Sequence, residues 1–146
     1  MPRIEGTKVG TDANGREIWR PIIVVSIVLP NGLRGQGPAI IDSGADMTVV
    51  PFEAVLGAGL EWDKLPKGEL GLGAGGSFER RPLDAEIYYR TWKICDKVEI
   101  AEPGRLDTIL LGRHEFFRTF VVRFAWHKIP PEVFIDPIVA TPKKRK

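Results

Sequence analysis

Asp42 sits in "AIIDSGADMTVVP" (residues 39–51), an ionisable group between two apolar runs, followed at once by Ser43 and Gly44. Burying a carboxylate is costly unless something answers its charge. Gly44 lets the backbone turn tightly, so the carboxylate can stand on a loop between two buried strands as a candidate for proton transfer. The Ser43 hydroxyl can hydrogen-bond neighbouring backbone and stiffen that loop. A purely structural cap accounts for the loop but not for apolar walls on both sides of it.

The other reactive side chains form no comparable constellation. His114 and His127 with the single Cys95 give no metal-ligand spacing, and "RHEFF" lacks the second His of a zinc-protease helix. No G-x-S-x-G elbow exists, and Ser43 has no His partner in sequence. Cys95 reads as a small buried hydrophobe and His114 as a helix-surface residue. Gly71–Gly76 satisfies G-x-G-x-x-G, but a dinucleotide site needs a helix after the glycines, and "SFERRPLDAEI" reads as broken by Pro82. A β-hairpin lid fits that stretch better. Trp19, Trp62, Trp92 and Trp126 lack basic interleaving and read as core and interface residues rather than a stacking platform.

The elements around these residues are short. "IWRPIIVVSIVL", "PAIID" and "MTVVP" read as strands, with Asn31-Gly32 as a hairpin-type turn. "PFEAVLGAG" and "RHEFFRTF" are compatible with short helices; Phe116, Phe117 and Phe120 can share a face of the second. "KGELGLGAGGSFERRPLDAEIYY", "KICDKVEIAE", "DTILLG" and "FVVRFAW" supply further strands. The fold class expected is all-β.

A chain of 146 residues fits one domain. We expect a flexible lead-in over residues 1–15, the folded domain over 16–127, and a Pro-rich, basic tail over 128–146 that is extended rather than regular. A net charge of +2 gives little pull on nucleic acid, and the cluster Lys143–Lys146 reads as a solvated tail. One cysteine excludes an intramolecular disulfide, there is no apolar signal core, and no run approaches the ~18 apolar residues of a membrane span. The expectation is a cytoplasmic protein with no membrane or nucleic-acid partner.

"AIIDSGADMTVVP" resembles the active-site loop of retropepsin-like aspartic proteases: two apolar residues, Asp, Ser or Thr, Gly, Ala, Asp or Asn, any residue, Thr. Every element is present from Ile40 to Thr48. The family's later element, an apolar pair with Gly and Arg opening a helix, is matched by Leu110-Leu111-Gly112-Arg113. Its Gly-rich flap falls between them as "GLGAGG". The three in order span about residues 20–125.

The resemblance implies a closed β-barrel or sandwich subunit with a β-hairpin flap and one or two short helices, acting as a homodimer. It implies an aspartic endopeptidase that cleaves extended peptides with an activated water and neither metal nor cofactor. Members that work as monomers carry two Asp loops on about twice this length. No other Asp-x-Gly occurs here, so the second carboxylate is Asp42 of another copy. Carried over residue by residue, Asp42 is catalytic and Ser43, Gly44, Ala45 and Thr48 support its loop. Asp46 pairs with Arg113 and touches substrate backbone, while Gly73, Ala74, Gly75 and Gly76 close over the substrate. Ile41, Ala45, Val50 and Leu111 are candidate pocket walls. The alternative is a catalytically silent dimerisation or peptide-binding module on the same fold.

Overall fold

The structure, a computed structural model, describes residues 2–68, 70–73 and 76–138. In chain order it has β1 (Arg3–Glu5), β2 (Thr7–Thr11), β3 (Glu17–Arg20), β4 (Ile22–Val28), β5 (Arg34–Ile41) and β6 (Val49–Pro51). Then come β7 (Leu70–Gly73), β8 (Gly76–Tyr89), β9 (Trp92–Ala101), β10 (Ile109–Leu111), α1 (Phe116–Thr119), β11 (Phe120–Ala125) and β12 (Glu132–Pro137). The strand order β4-β5-β10-β6-β9-β8 closes on itself because β8 also pairs with β4, and β7 is added outside β8. This is the closed, all-β architecture expected.

Period-two patterning builds the barrel. In β4 the buried Ile23, Val25 and Ile27 alternate with residues that face out, Val24 among them. Ala39 and Ile41 of β5, Leu83, Ala85 and Ile87 of β8, and Val98 and Ile100 of β9 meet them inside. Each large aliphatic side chain removed from water contributes about 1.5–3 kcal/mol. Gly32, at φ 85°, makes the turn from β4 to β5, where Asn31 Oδ1 accepts the Leu33 N–H at 3.1 Å.

Both expected helices are smaller than their sequences allow. "PFEAVLGAG" forms a 3-10 helix over Phe52–Ala58, ended by Gly59 in the left-handed region. It buries only Phe52 and Val55, too narrow a stripe to hold a longer α-helix. In "RHEFFRTF" the helix is the single turn α1, because Phe120 already opens β11. Phe116 and Phe120 are buried with ring centroids 4.9 Å apart, both beside Tyr89, while Phe117 is half-buried.

Three expectations are corrected. Pro82 does not break its segment: β8 runs straight through it for 14 residues. Pro82 pairs with Glu99 of β9 on one side, and it lies between the rungs made with β7 and with β4 on the other. A proline at such a strand edge costs no ladder bond. The lead-in is not loose. β2 and β3 form a hairpin around "DANG", where Asp12 Oδ1 accepts the Asn14 and Arg16 N–H groups, both at 2.9 Å. The segment expected as an irregular tail contains β12, the central strand of a second sheet of order β1-β12-β11. Pro130, Pro131 and Pro137 lie at the ends of β12, leaving Val133 and Ile135 to be buried. Lys143–Lys146 lie outside the described residues.

The second sheet has an ionic clamp. Glu132, almost fully buried, lies 2.6 Å from Lys128 Nζ and 2.6 Å from Arg3 Nη1, which ties the first strand to the twelfth. The hydrogen bond from Lys128 outweighs the burial that pushes the Glu132 carboxyl up, and together with the charge of Arg3 it holds that carboxyl below the usual range. A depressed carboxyl contributes stability above its unfolded pKa, about 4.3, and loses it as pH falls through the folded value. Wild type should therefore lose more thermal stability than Glu132→Gln between about pH 6 and pH 2, read as unfolding midpoint against pH. Parallel curves would show that the clamp contributes nothing.

Candidate active site

Asp42 is the first residue past β5. β5 and β10 run parallel, with Ile40 beside Leu110 and Ile41 beside Leu111. Both segments therefore leave the barrel at the same end, and the Asp42 N–H donates to Leu111 O at 3.1 Å. The loop 42–48 and the segment 112–115 are thus neighbours from their first residues.

Within the loop, the Gly44 N–H donates to Asp42 Oδ1 at 2.9 Å, and Ala45 N–H closes a turn on Asp42 O at 3.2 Å. A Cβ on Gly44 would sit 3.3 Å from that carboxylate oxygen. Gly44 does not have a positive φ, so close approach is what its missing side chain provides. Asp42 itself is half-buried.

The segment 112–115 answers the rest of the loop. The Arg113 N–H donates to Ala45 O at 2.8 Å and the His114 N–H to Asp46 O at 2.9 Å. The Arg113 guanidinium is ion-paired with the Asp46 carboxylate, and both side chains are largely exposed. The hydrogen bond from Arg113, then its charge, holds the Asp46 carboxyl below the usual range. Such an exposed pair is screened by water, so backbone bonds carry more of the loop's support. Thr48 is wholly buried: its Oγ1 accepts the Gly112 N–H at 3.1 Å. The Thr48 N–H and hydroxyl both donate to Glu115 Oε2, each at 3.0 Å. Sequence reasoning missed Glu115; the signal was a buried hydroxyl at Thr48 with no acceptor assigned to it.

Asp42 and Ser43 line a groove of about 610 Å³ with Trp19, Arg20, Pro21, Ile40, Ile41, Leu110, Phe124 and Trp126. Of its lining residues only Asp42 is a carboxylate. A concavity of about 650 Å³ beside Pro51, Glu53 and residues 104–107 is as large but contains none of the loop. Chemistry rather than volume therefore selects the groove.

The remaining expected residues fall as follows. Ser43 is exposed, and none of the loop's hydrogen bonds among the described residues uses its hydroxyl; Thr48 and Glu115 do the bracing. Val50 and Leu111 are fully buried core residues, not pocket walls, whereas Ile41 reaches the groove. Ala45 is half-buried and His114 exposed. No tryptophan is fully buried: Trp62 packs against the core's edge, Trp92 is exposed, and Trp19 and Trp126 line the groove. Burial pushes the Cys95 thiol up to about 12, so it is no ready nucleophile. Among the described residues no three His, Cys, Asp or Glu side chains gather as a metal site. No helix among them is long and apolar enough to cross a membrane.

The glycine-rich stretch forms a hairpin. β7 pairs with β8 from Leu70–Glu79 to Gly73–Gly76, and no helix follows, so the dinucleotide reading has no structural support. Ala74 and Gly75 lie outside the described residues. The root of the hairpin is locked by Arg81, which is buried, paired with Glu79 at 2.8 Å, bonded to Trp62 O at 2.6 Å and stacked 4.5 Å over the Trp62 ring.

No protein-family model matches the sequence. No curated protein matches it either. Among solved structures, the chain is similar to a retropepsin-like aspartic protease from Rickettsia conorii, with a TM-score of 0.55 and 16% identity over 90% of this chain and 99% of that one. The EIAV protease, solved with the inhibitor HBY-793, aligns with a TM-score of 0.49 and 22% identity over 65% of this chain and 83% of that one. The chain has the retropepsin-like fold.

A Cβ on Gly112 would collide with the backbone of Met47, whereas one on Gly57 would meet open space. Gly112→Ala should therefore cost about 1–3 kcal/mol in urea unfolding. Gly57→Ala should stay within about 1 kcal/mol of wild type. Equal effects would show that the loop does not depend on this contact.

Proposed function

We propose that this chain is an aspartic endopeptidase, active as a homodimer, with Asp42 of each copy forming the catalytic pair. The observation that carries the reading is a single half-buried carboxylate, oriented by the Gly44 N–H, as the only carboxylate on the wall of a mainly apolar groove that Arg20 also lines. Such a group is half of a machine that needs two.

Two carboxylates a few ångströms apart cannot both ionise and so share one proton. The ionised member takes a proton from a bound water, whose oxygen attacks the peptide carbonyl carbon. The protonated member gives its proton to the carbonyl oxygen, producing a gem-diol. When the C–N bond breaks, a hydroxyl proton returns to a carboxylate and the departing nitrogen is protonated. The products are a carboxylic acid and an amine, and the pair is again singly protonated.

The second copy is assigned to the edge of β11. That strand is one of the two outer members of its sheet, and Val121 and Phe124 are exposed on it, with Trp126 just beyond. Phe124 and Trp126 also border the groove of Asp42. An exposed apolar strand edge is a ready surface for pairing. The substrate is an extended peptide held beneath the β7–β8 hairpin, with Gly73, Ala74, Gly75 and Gly76 over it and Asp46 at its backbone. Apolar side chains beside the scissile bond suit a groove of this lining.

A diverse peptide pool incubated with wild type and with Asp42→Asn from about pH 4 to pH 7, read by mass spectrometry, tests this. Cleavage by wild type alone is expected, with activity per chain rising with protein concentration until the dimer saturates. Cleavage by both forms, or by neither, would overturn the protease reading; peptide binding without cleavage would mark a silent module.

A further inference from the structure

The Asp42 loop is attached at both ends to one short segment of chain. Its beginning is held where the Asp42 N–H meets Leu111 O, and its end where Thr48 meets Gly112 and Glu115. A loop tied at one end can pivot; tied at both, it presents its carboxylate in one orientation. The final tie depends on Glu115, a half-buried residue immediately before α1.

The hydrogens decide how it works. A threonine hydroxyl has one proton to give and two lone pairs to receive. The Gly112 N–H occupies one lone pair of Thr48 Oγ1, leaving the hydroxyl proton for Glu115 Oε2. The Thr48 N–H is directed to the same oxygen. Two buried donors thus converge on one acceptor, and no other acceptor for them occurs among the described residues. Thr119 Oγ1 donates to Glu115 O at 2.8 Å, which ties the backbone of Glu115 into α1.

We propose that Glu115 is a positioning residue for Asp42, acting through Thr48 as the acceptor that locks the far end of the catalytic loop. Its kinetic consequence rests on the aspartic-protease reading. Two carboxylates that must face each other tolerate little slack, and small misplacements of reacting groups cost much of the rate. Glu115 itself touches neither substrate nor water in this account.

The test uses the full chain with Glu115→Ala, Glu115→Gln, Thr48→Val and Asp42→Asn. Turnover of an apolar peptide is measured beside hydrogen exchange of the backbone over residues 42–51. Glu115→Ala should lower kcat by about 10- to 100-fold. Its KM should change by less than about threefold, with faster exchange through 42–51. Glu115→Gln keeps an oxygen acceptor in place and should restore both readouts close to wild type. Thr48→Val keeps the volume but removes both the hydroxyl's bond to Glu115 and the acceptor of the Gly112 N–H, so it should lower kcat and speed exchange through 42–51 as well, and it serves if Glu115→Ala does not fold. Unchanged kcat and exchange in Glu115→Ala, or in Thr48→Val where that variant stands in, would overturn the proposal. Equal impairment of Gln and Ala would do so too, since the acceptor would then not be what matters. Absence of any turnover that Asp42→Asn removes would overturn the protease reading instead, and the exchange measurement would still decide whether Glu115 holds the loop.

Discussion

Everything around Asp42 depends on the docking of residues 42–48 against 111–115, and that docking is mainly a matter of satisfied backbone. A buried polar group without a partner costs about 1–3 kcal/mol. A domain has about 5–15 kcal/mol of net stability in all. The amides of Asp42, Thr48 and Gly112, the carbonyls of Ala45 and Asp46, and the Thr48 hydroxyl all find partners across this contact. Leaving even a few of them unmet would consume much of the available stability. The exposed Asp46–Arg113 pair is the most visible link from sequence but the most exposed to solvent screening.

The barrel makes that docking possible. Because β10 lies between β5 and β6, running parallel to one and antiparallel to the other, the strand before the loop and the strand after it flank the strand that leads into 112–115. Gly112 then permits backbone-to-backbone contact with Met47 that no side chain would allow. The second sheet follows a similar economy. By inserting β12 between β1 and β11, the chain pairs its first strand on one side within the subunit and leaves β1 and β11 as the two edges of this sheet, of which β11 carries the exposed apolar Val121 and Phe124.

What was legible in the sequence was what is local. Asp42, Ser43 and Gly44 are adjacent, and Leu110 to Arg113 are adjacent, so type and order identified both segments. The pairing of Arg113 with Asp46 followed from the family pattern. Glu115 was not legible, because its meaning comes from Thr48, 67 positions away. Val50 and Leu111 were misjudged because an apolar residue beside the Asp42 loop reads the same whether it faces a groove or the core. β1 is three residues long and carries no periodicity of its own. β12 was hidden by prolines that turn out to sit at its ends, where they interrupt nothing.

β8 is one strand with two occupations. From Leu83 to Tyr89 it is barrel wall, packed on the core and paired with β9, and from Gly76 to Glu79 it is one arm of the hairpin. Between these lies Arg81, clamped to Glu79 and Trp62. The hairpin is therefore not hinged at its root but built as a cantilever, embedded in the barrel and gripped near the point of emergence. The grip on the overhang is made by Arg81 and Trp62, neither of which lines the groove.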